Sequence, residues 1–392
     1  MAAFKGLLGG SAAPGHRMAR RSPPGTVSGL VEVARFGTNP GALKMLLYVP
    51  RELAESPPLV VVLHGCGQAA EAYAEGAGWL ALAERHGFAV LCPEQNGANN
   101  PQRCFNWFQP DDVSRDRGEV ASIRQMIEHA VLAHGLDRTR VFVTGLSAGG
   151  AMASAMLAVY PEVFAGGAIV AGLPYGAASS VQEAMQAMFQ SPRRPAREWG
   201  DRVRAASAHD GPWPRISIWH GDADTTVVPA NAAQSALQWA DVHGLSPSPT
   251  TTEVAPGLRR QLWTDEGGRP VIESMTVQGM GHGTPLAAEG DGGYGRAGPF
   301  LLETGISSSA LICDFWGVAG GPDEARRAPA AASDPAARPA AASSPGAANP
   351  ARSSRGRPGF RLPPLVDGAL AQPSKDVGRV ISDALRAAGL MR

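Results

Sequence analysis

The sequence lacks any apolar run close to the roughly 20 residues that a membrane-spanning helix needs. It also lacks a surplus of charge, because 35 Lys and Arg residues balance 35 Asp and Glu residues and the arginines are dispersed along the chain. A neutral composition gives no reason to expect nucleic acid or an acidic membrane surface as a partner. We therefore expect no membrane span, no nucleic-acid partner, and a substrate that is recognised by its shape and by apolar contacts.

The amino terminus lacks the features of a secretory signal peptide. Its apolar residues are too sparse for an h-region, and most of its basic residues follow that segment instead of preceding it. Residues 22–26 offer no cleavage site of the A-x-A type. We expect a disordered leader over residues 1–28.

Cysteine is also scarce, with only four residues in the chain. They are Cys66, Cys92, Cys104 and Cys313. Four cysteines could include one bridge, or all of them could be small buried side chains. The count therefore leaves the cellular compartment open.

Length and composition predict one large core with appendages. The chain has 392 residues, of which 44% are hydrophobic, and α/β sheets often exceed roughly 250 residues as a single unit. Residues 319–360 are dominated by Ala, Pro, Ser and Arg without an apolar period, which predicts a flexible, partly polyproline linker. Residues 361–392 carry apolar side chains at helical spacing between Val377 and Leu385, which predicts an amphipathic helix that either docks on the core or binds a partner or polymer.

Apolar runs alternate with helical periodicity over residues 29–318, the predicted catalytic domain. The continuous β-branched and leucine run Leu59–Leu63 is typical of a central strand buried on both faces. Further predicted strands are Phe88–Leu91, Val141–Val143, Ile216–Trp219 and Ile272–Val277, and predicted helices are Trp79–His86 and Val120–Leu132. The alternation predicts the α/β class, with a mostly parallel sheet, helices on both faces, and a functional site at the carboxyl ends of the strands.

The segment Gly145-Leu146-Ser147-Ala148-Gly149 places a serine between a predicted strand and a helix-like run. Gly-x-Ser-x-Gly in that context is typical of a nucleophile elbow, where glycines on both sides of the serine leave room for a sharp turn. In a glycine-rich chain the pattern alone is equally consistent with an ordinary turn between strand and helix. The residues that follow favour the elbow, because a candidate Asp and then His282 come later in the chain, in the order of α/β-hydrolase triads.

Ser147 needs a general base, because its hydroxyl is too weak an acid to attack an ester unaided. His282 is the candidate, since it lies in a glycine-rich loop just after the predicted strand Ile272–Val277, whereas the other histidines do not follow the acid in the expected order. A carboxylate must then orient the imidazole. Asp224 is favoured over Asp222 by the pattern HGxxD, which leaves Asp222 as a solvated turn residue.

The tetrahedral intermediate of ester hydrolysis requires two hydrogen-bond donors aimed at its oxyanion. The backbone N–H of Ala148, directly after Ser147, is expected to supply one. The backbone N–H of Cys66 is expected to supply the other, from the glycine-rich loop after Leu59–Leu63. An ordinary strand-to-helix turn is the alternative for that loop.

Five segments together resemble esterases of the polyhydroxybutyrate depolymerase family, in order and at ordinary spacing between about Val31 and Gly317. They are LHGC from Leu63, PEQ from Pro93, NPQRCFNWF from Asn100, GLSAGG from Gly145 and GMGHGTP from Gly279. The resemblance implies an α/β-hydrolase fold and hydrolysis of short hydroxyacid polyesters or related esters. It also implies the triad Ser147, Asp224 and His282, with Cys66 and Ala148 as the oxyanion hole.

The same resemblance assigns further residues and a location. It implies that Trp107 and Asn106 line the substrate crevice, although an aromatic core plug is the alternative for Trp107. It implies a disulfide between Cys66 and Cys104, which would need an oxidising compartment. Family members typically look secreted, whereas the missing signal peptide leaves the cytoplasm as the alternative.

We therefore expect a serine esterase that hydrolyses a polyester or a small ester through an acyl-enzyme, without a metal or an organic cofactor. A feruloyl or acetylxylan esterase on the same scaffold is the alternative, and a serine peptidase is disfavoured because no charged specificity pocket is evident. From another class, a non-catalytic protein bound to polymer granules would keep the fold and adhere through its carboxy-terminal helix. The oligomeric state is left open.

Overall fold

The computed structural model describes residues 29–290 and 292–318. These ranges correspond to the predicted catalytic domain, 29–318. The predicted leader (1–28), linker (319–360) and amphipathic helix (361–392) lie outside the described residues.

The described residues form twelve strands and eight α-helices. The strands are β1 (Val31–Glu32), β2 (Lys44–Tyr48), β3 (Leu59–Leu63), β4 (Ala89–Glu94), β5 (Val141–Leu146), β6 (Gly166–Val170), β7 (Arg215–Gly221), β8 (Thr251–Ala255), β9 (Leu258–Thr264), β10 (Pro270–Val277), β11 (Thr284–Leu286) and β12 (Leu301–Glu303). The helices are α1 (Ala70–Gly76), α2 (Trp79–His86), α3 (Gly118–His134), α4 (Ala148–Val159), α5 (Val181–Gln190), α6 (Ala196–Arg204), α7 (Ala230–Val242) and α8 (Ser308–Trp316). Among these helices, none is long and apolar enough to cross a membrane.

Ten strands form one sheet in the order β1-β2-β4-β3-β5-β6-β7-β10-β9-β8. The six central strands, from β4 to β10, run parallel to one another. At the two edges, β1 and β2 on one side and β9 and β8 on the other add antiparallel pairs. This mostly parallel arrangement confirms the predicted α/β class.

Helices cover both faces of the sheet because the innermost strands bury side chains on both sides. All five residues of β3 are buried. Its alternate side chains enter different layers, with Leu59, Val61 and Leu63 in one hydrophobic cluster and Val60 and Val62 in the other. The first cluster includes apolar residues of α3, α4, α6 and α7, and the second includes those of α1, α2 and α8. Burying each Val or Leu side chain contributes about 1.5–3 kcal/mol, which makes this strand a major source of stability.

The parallel sheet brings distant segments of the chain to one edge. Strands β3, β5, β7 and β10 all point the same way, so the residues that follow each of them meet at their carboxyl ends. Ser147 follows β5, Asp224 follows β7 and His282 follows β10. The topology therefore places all three side chains at one rim of the sheet.

Candidate active site

Ser147 lies at a sharp turn between β5 and α4, with φ 57° and ψ −116°. Such a conformation is strained for any residue with a side chain, and strain of this kind is typical of functional sites. A Cβ atom on Gly145 would lie 2.4 Å from the carbonyl carbon of Gly149, and one on Gly149 would lie 2.3 Å from the carbonyl oxygen of Leu63. Only glycine fits at both positions, which favours the nucleophile elbow over an ordinary turn.

Asp224 is buried and lies behind the imidazole of His282. Its Oδ2 atom lies 2.7 Å from Nδ1 of His282, while Oδ1 accepts hydrogen bonds from the backbone N–H groups of Thr226 at 2.8 Å and Val227 at 2.9 Å. Burial by itself would raise the pKa of Asp224, but hydrogen bonds from His220 and His282 outweigh it and hold that pKa well below its ordinary range. Asp224 is therefore ionised over the whole neutral range.

Asp222 and His220, which belong to the same HGxxD segment as Asp224, have other roles. The exposed Asp222 accepts a hydrogen bond from the backbone N–H of Gly279 at 2.6 Å, so it holds the loop that leads to His282. Sequence reasoning placed His220 in a turn, but its Nε2 lies 3.3 Å from Oδ2 of Asp224 and 2.7 Å from the carbonyl oxygen of Val227. A carbonyl only accepts, so Nε2 of His220 carries a hydrogen and donates. The structure thus gives Asp224, and not Asp222, the contact with His282.

Ser147 and His282 line one cavity. Its walls are formed by Gly65, Cys66, Gly67, Gln68, Gln102, Leu146, Ser147, Met188, Thr226, His282 and Phe300. The Phe300 ring meets the His282 ring edge-on, with centroids 6.0 Å apart, and the Phe300 backbone has a φ of 62°. The structure therefore brings together the predicted serine, the predicted histidine and the Cys66 loop, with Asp224 behind the imidazole.

Sequence reasoning did not predict several lining residues as site residues, among them Gln68, Gln102, Met188, Thr226 and Phe300. Gln102 lies inside one of the family-like segments, so a signal for it was present. Gln68 accepts a hydrogen bond from the backbone N–H of Gly65 at 2.8 Å and donates to the carbonyl of Pro299 at 3.2 Å. Met188 and Phe300 were not predicted as site residues, because neither lies in a recognised catalytic motif. Their proximity to Ser147 depends on the packing of the chain.

Cys66 and Cys104 are joined by a disulfide, with Cα atoms 4.2 Å apart. Beside it, the backbone N–H of Gly67 donates to the carbonyl of Gln102 at 2.8 Å. These links fix the loop that contains Cys66 to the segment that contains Trp107. The free cysteines Cys92 and Cys313 are buried, and burial raises the pKa of both thiols, which makes them unreactive packing residues. 

Replacing Cys66 and Cys104 together by serine is expected to lower the free energy of unfolding by about 4 kcal/mol, because the bond closes a long loop in the unfolded chain. Activity on p-nitrophenyl butyrate should fall as well, since the loop beside Ser147 loses its covalent tie. Denaturant titration and kcat/KM measure the two effects. The matched control Cys313→Ser changes a free buried thiol and should leave kcat/KM unchanged; equal activity losses in both variants would contradict the expected role of the bond.

A buried carboxyl holds the segment between Cys104 and Trp107. Glu119, in the first turn of α3, accepts hydrogen bonds from the side-chain amide of Gln95 and from the backbone N–H of Asn106, the latter at 2.9 Å. Gln95 also donates to the carbonyl of Cys104 at 3.2 Å. Burial, with the charge of Asp112 nearby, raises the pKa of Glu119 to about 8. A protonated Glu119 is therefore part of the folded structure at neutral pH.

Glu119→Gln is expected to flatten the dependence of stability on pH. A carboxyl whose pKa is raised from 4.5 to about 8 on folding holds a proton that the unfolded chain releases, so its stabilising effect is complete below 4.5 and is lost as pH rises through 8. Melting temperatures between about pH 6 and about pH 9 should fall more steeply for the wild type than for Glu119→Gln. The exposed Glu266 provides a control: Glu266→Gln should follow the wild-type curve, and parallel curves for Glu119→Gln would sink the expectation.

Trp107 and Asn106 are not among the residues that line the cavity of Ser147 and His282. Trp107 is 8% exposed, packs edge-to-face on Phe108 and lines a second, larger cavity. Asn106 is engaged within its own segment, where its Oδ1 accepts a hydrogen bond from the side chain of Asn100 at 3.0 Å. The geometry thus connects Trp107 with the larger cavity and gives Asn106 a role in holding its own segment. Over residues 29–290 and 292–318, no cluster of His, Cys, Asp or Glu is arranged to hold a metal ion.

The fold and this site together define a class of protein. A mostly parallel sheet covered on both faces, a strained serine directly after a central strand, and a histidine hydrogen-bonded to a carboxylate after later strands are the features of an α/β-hydrolase. The chain belongs to the esterase PHB depolymerase family, whose family model matches residues 43–260. This confirms the predicted fold and family.

Three similar proteins have the names of ester hydrolases. The chain is 43% identical over 297 residues to poly(3-hydroxyalkanoate) depolymerase C of Paucimonas lemoignei, a match that covers 75% of this chain and 72% of that protein. It is 34% identical over 262 residues to feruloyl esterase B of Thermothelomyces thermophilus, covering 64% and 88%. Its structure is similar to that of the acetyl xylan esterase from Aspergillus awamori, with a TM-score of 0.64 and 26% identity, covering 74% and 99%. The predicted activity class, carboxylic ester hydrolysis, is confirmed.

Proposed function

We propose that this esterase hydrolyses poly- or oligo(3-hydroxybutyrate)-type polyesters through an acyl-enzyme formed on Ser147. The observation that carries the proposal is the cavity shared by Ser147 and His282, with Asp224 hydrogen-bonded behind the imidazole. The 43% identity to a poly(3-hydroxyalkanoate) depolymerase supports polyester as the substrate class.

Acylation follows from the tautomer of His282. Because Nδ1 of His282 lies 2.7 Å from the ionised Asp224, Nδ1 carries the hydrogen and Nε2 keeps its lone pair as the base. Ser147 Oγ attacks the ester carbonyl carbon while its proton passes to Nε2. The carboxylate of Asp224 stabilises the imidazolium that forms. The imidazolium then gives the proton to the departing alkoxide as the original ester C–O bond breaks.

Deacylation repeats the same steps with water. His282 takes a proton from water, the resulting hydroxide adds to the acyl carbon, and the bond to Ser147 Oγ breaks as the proton returns to that oxygen. In both halves the oxyanion accepts hydrogen bonds from the backbone N–H groups of Cys66 and Ala148. Ala148 is the first residue of α4, so its N–H has no acceptor within the helix and is available to a ligand.

The size of the cavity favours a short acyl group. It has about 60 Å³ of space for the centres of water-sized groups, which is room for about four to six water molecules at roughly 10–15 Å³ each. A hydroxybutyryl group has a similar number of heavy atoms, and an acetyl group has fewer. A feruloyl group adds an aromatic ring, which would require wall residues such as Met188 and Phe300 to move. This supports a hydroxybutyrate ester as substrate, with acetylxylan esterase activity as the second candidate, above feruloyl esterase activity.

A panel of three substrates tests the proposal: hydroxybutyrate oligomers, acetylated xylan and methyl ferulate. We expect the highest kcat/KM on the hydroxybutyrate oligomers and the lowest on methyl ferulate. Ser147→Ala run on the same panel excludes contaminating esterases. A clear preference for acetylated xylan would replace the polyester assignment by the second candidate, and a preference for methyl ferulate would overturn the short-acyl argument.

A further inference from the structure

A large second cavity lies on the other side of α5 from the cavity of Ser147. Its volume is about 780 Å³, in the upper part of the range of roughly 300–1,000 Å³ that is usual for ligand sites. Its walls come from the segment 107–114, from residues 175–194, which include α5, and from the end of α6 and the residues after it. Nothing in the hydrolytic mechanism uses this space.

The walls of this cavity suit a ligand with apolar groups and many hydrogen-bond acceptors. Trp107 and Tyr175 supply aromatic surface, and alanines supply small apolar surface. The amides of Gln186 and Gln190 and the guanidinium groups of Arg194 and Arg202 supply donors, and guanidinium groups have no acceptor of their own. An oligoester has this complementary chemistry, because its carbonyl groups only accept and its chain is otherwise apolar.

Two arginines give the cavity its strongest recognition groups. The guanidinium groups of Arg194 and Arg202 both lie against the ring of Trp199, at 5.4 and 5.9 Å from its centroid, and both face the single carboxylate of Glu198. The acidic wall residue Glu183 is already held by the N–H and hydroxyl groups of Ser179, at 2.8 and 2.7 Å. The arginines are therefore held in place by Glu198, and their charges also act on the carboxylate of Glu183 and help to lower its pKa.

The Nε–H groups of both arginines are buried and have no hydrogen-bond partner among the described residues. A buried donor without an acceptor costs about 1–3 kcal/mol, and in native structures such a group is explained by a bound water, ion or ligand or by a functional role. A carboxylate can accept two parallel hydrogen bonds from the Nε–H and Nη–H edge of one guanidinium group. Both arginines line the large cavity, so a carboxylate bound there is a ligand of the right chemistry for these donors.

The two cavities are close enough for one substrate to occupy both. Ala187 lines the large cavity and the next residue in α5, Met188, lines the cavity of Ser147. The separation is therefore about the width of one helix, roughly 10 Å. Three extended peptide units, at about 3.3–3.6 Å each, span about the same distance. A hydroxybutyrate unit has one more chain atom than a peptide unit, so three such units are long enough to span the helix.

We propose that the large cavity binds the free carboxylate end of an oligo(hydroxyacid) ester while an ester bond of the same molecule lies at Ser147, with Arg194 and Arg202 as the carboxylate-binding residues. The inference rests on the proposed polyesterase function and adds a preference within it: oligomers that end in a free acid are better substrates than the same oligomers with a blocked end.

The test compares the 3-hydroxybutyrate trimer acid with its methyl ester, which has the same chain without the terminal charge. For the wild type, the ratio of kcat/KM for the acid to kcat/KM for the methyl ester should be about tenfold or more, the usual effect of a hydrogen bond to a charged group. In the double variant Arg194→Gln with Arg202→Gln, this ratio should fall to near one. Arg197→Gln changes an exposed arginine of α6 and should leave the ratio at the wild-type value.

Direct binding separates this inference from the proposed function. Titration calorimetry with the inactive Ser147→Ala protein should show tighter binding of the trimer acid than of its methyl ester, and the two arginine substitutions should abolish the difference. Equal affinities, or a difference that survives both substitutions, would overturn the carboxylate site and leave the esterase function standing. Acid-selective binding without hydrolysis of either trimer by the wild type would instead sink the polyester assignment and the substrate role of the cavity.

Discussion

Ser147→Ala is expected to lower kcat/KM for p-nitrophenyl butyrate by about 10⁴–10⁶-fold, because the hydroxyl that forms the acyl-enzyme is removed. The fold should persist, since alanine keeps the backbone geometry of the elbow and removes only one oxygen. Circular dichroism and the melting temperature check the fold, and steady-state kinetics check the activity. Ser154→Ala is a matched control: it removes a buried hydroxyl of α4 that has no hydrogen-bond partner among the described residues, and it should leave activity intact.

Covalent labelling gives the same prediction a second measurement. A fluorophosphonate should label the wild type and Ser154→Ala but not Ser147→Ala, because only an activated serine reacts with it. Labelling that persists in Ser147→Ala would identify a different nucleophile. No labelling and no ester hydrolysis by the wild type would favour the non-catalytic granule-binding alternative.

Asp224→Asn is expected to lower kcat by about 10⁴-fold, because an amide in place of the carboxylate presents the wrong partner to Nδ1 of His282 and favours the wrong tautomer. The substrate KM should change little, since Asp224 lies behind the imidazole, outside the cavity lining. The two effects are separated by full saturation curves on p-nitrophenyl butyrate.

Asp222→Asn is the matched control for that variant. It lies two residues earlier, and an asparagine can still accept the hydrogen bond from the N–H of Gly279, so activity close to wild type is expected. The opposite order of effects, with Asp222→Asn inactive and Asp224→Asn active, would reverse the assignment of the two carboxylates.

Much of the fold could be predicted because its core elements carry strong local patterns. The helix predicted over Trp79–His86 has the bounds of α2, and the predicted strand Val141–Val143 lies within β5. The helix α5 was not predicted, although its sequence carries apolar residues at helical spacing and its wall residues line both cavities. The hairpin of β8 and β9 was also missed, because β8 is exposed along its whole length.

The site was predicted where the sequence carries a local motif and missed where it does not. Ser147, Asp224 and His282 were named from their motifs, and the structure brings Ser147 and His282 to one cavity with Asp224 behind the imidazole; their catalytic roles stay predictions that the variants above test. Trp107 was assigned to the substrate crevice by family resemblance, and its place on a different cavity could not be read from the chain. The orientation of a loop residue depends on what packs around it, and the Glu119 contacts that hold this segment are long-range.

By itself, the sequence determined the α/β class, the family and the identity of the serine, histidine and carboxylate candidates. The class follows from local periodicity, the family from five short segments, and the candidates from their motifs and their order in the chain. Only the tertiary structure decided which groups meet: the place of Trp107 on the second cavity, the contact of His220 with Asp224, and the two arginines on a common cavity. Even where the two residues are close in sequence, their arrangement depends on segments from elsewhere in the chain that pack around them. Their geometry arises from packing the whole sheet and its helices, and no short stretch of sequence encodes it.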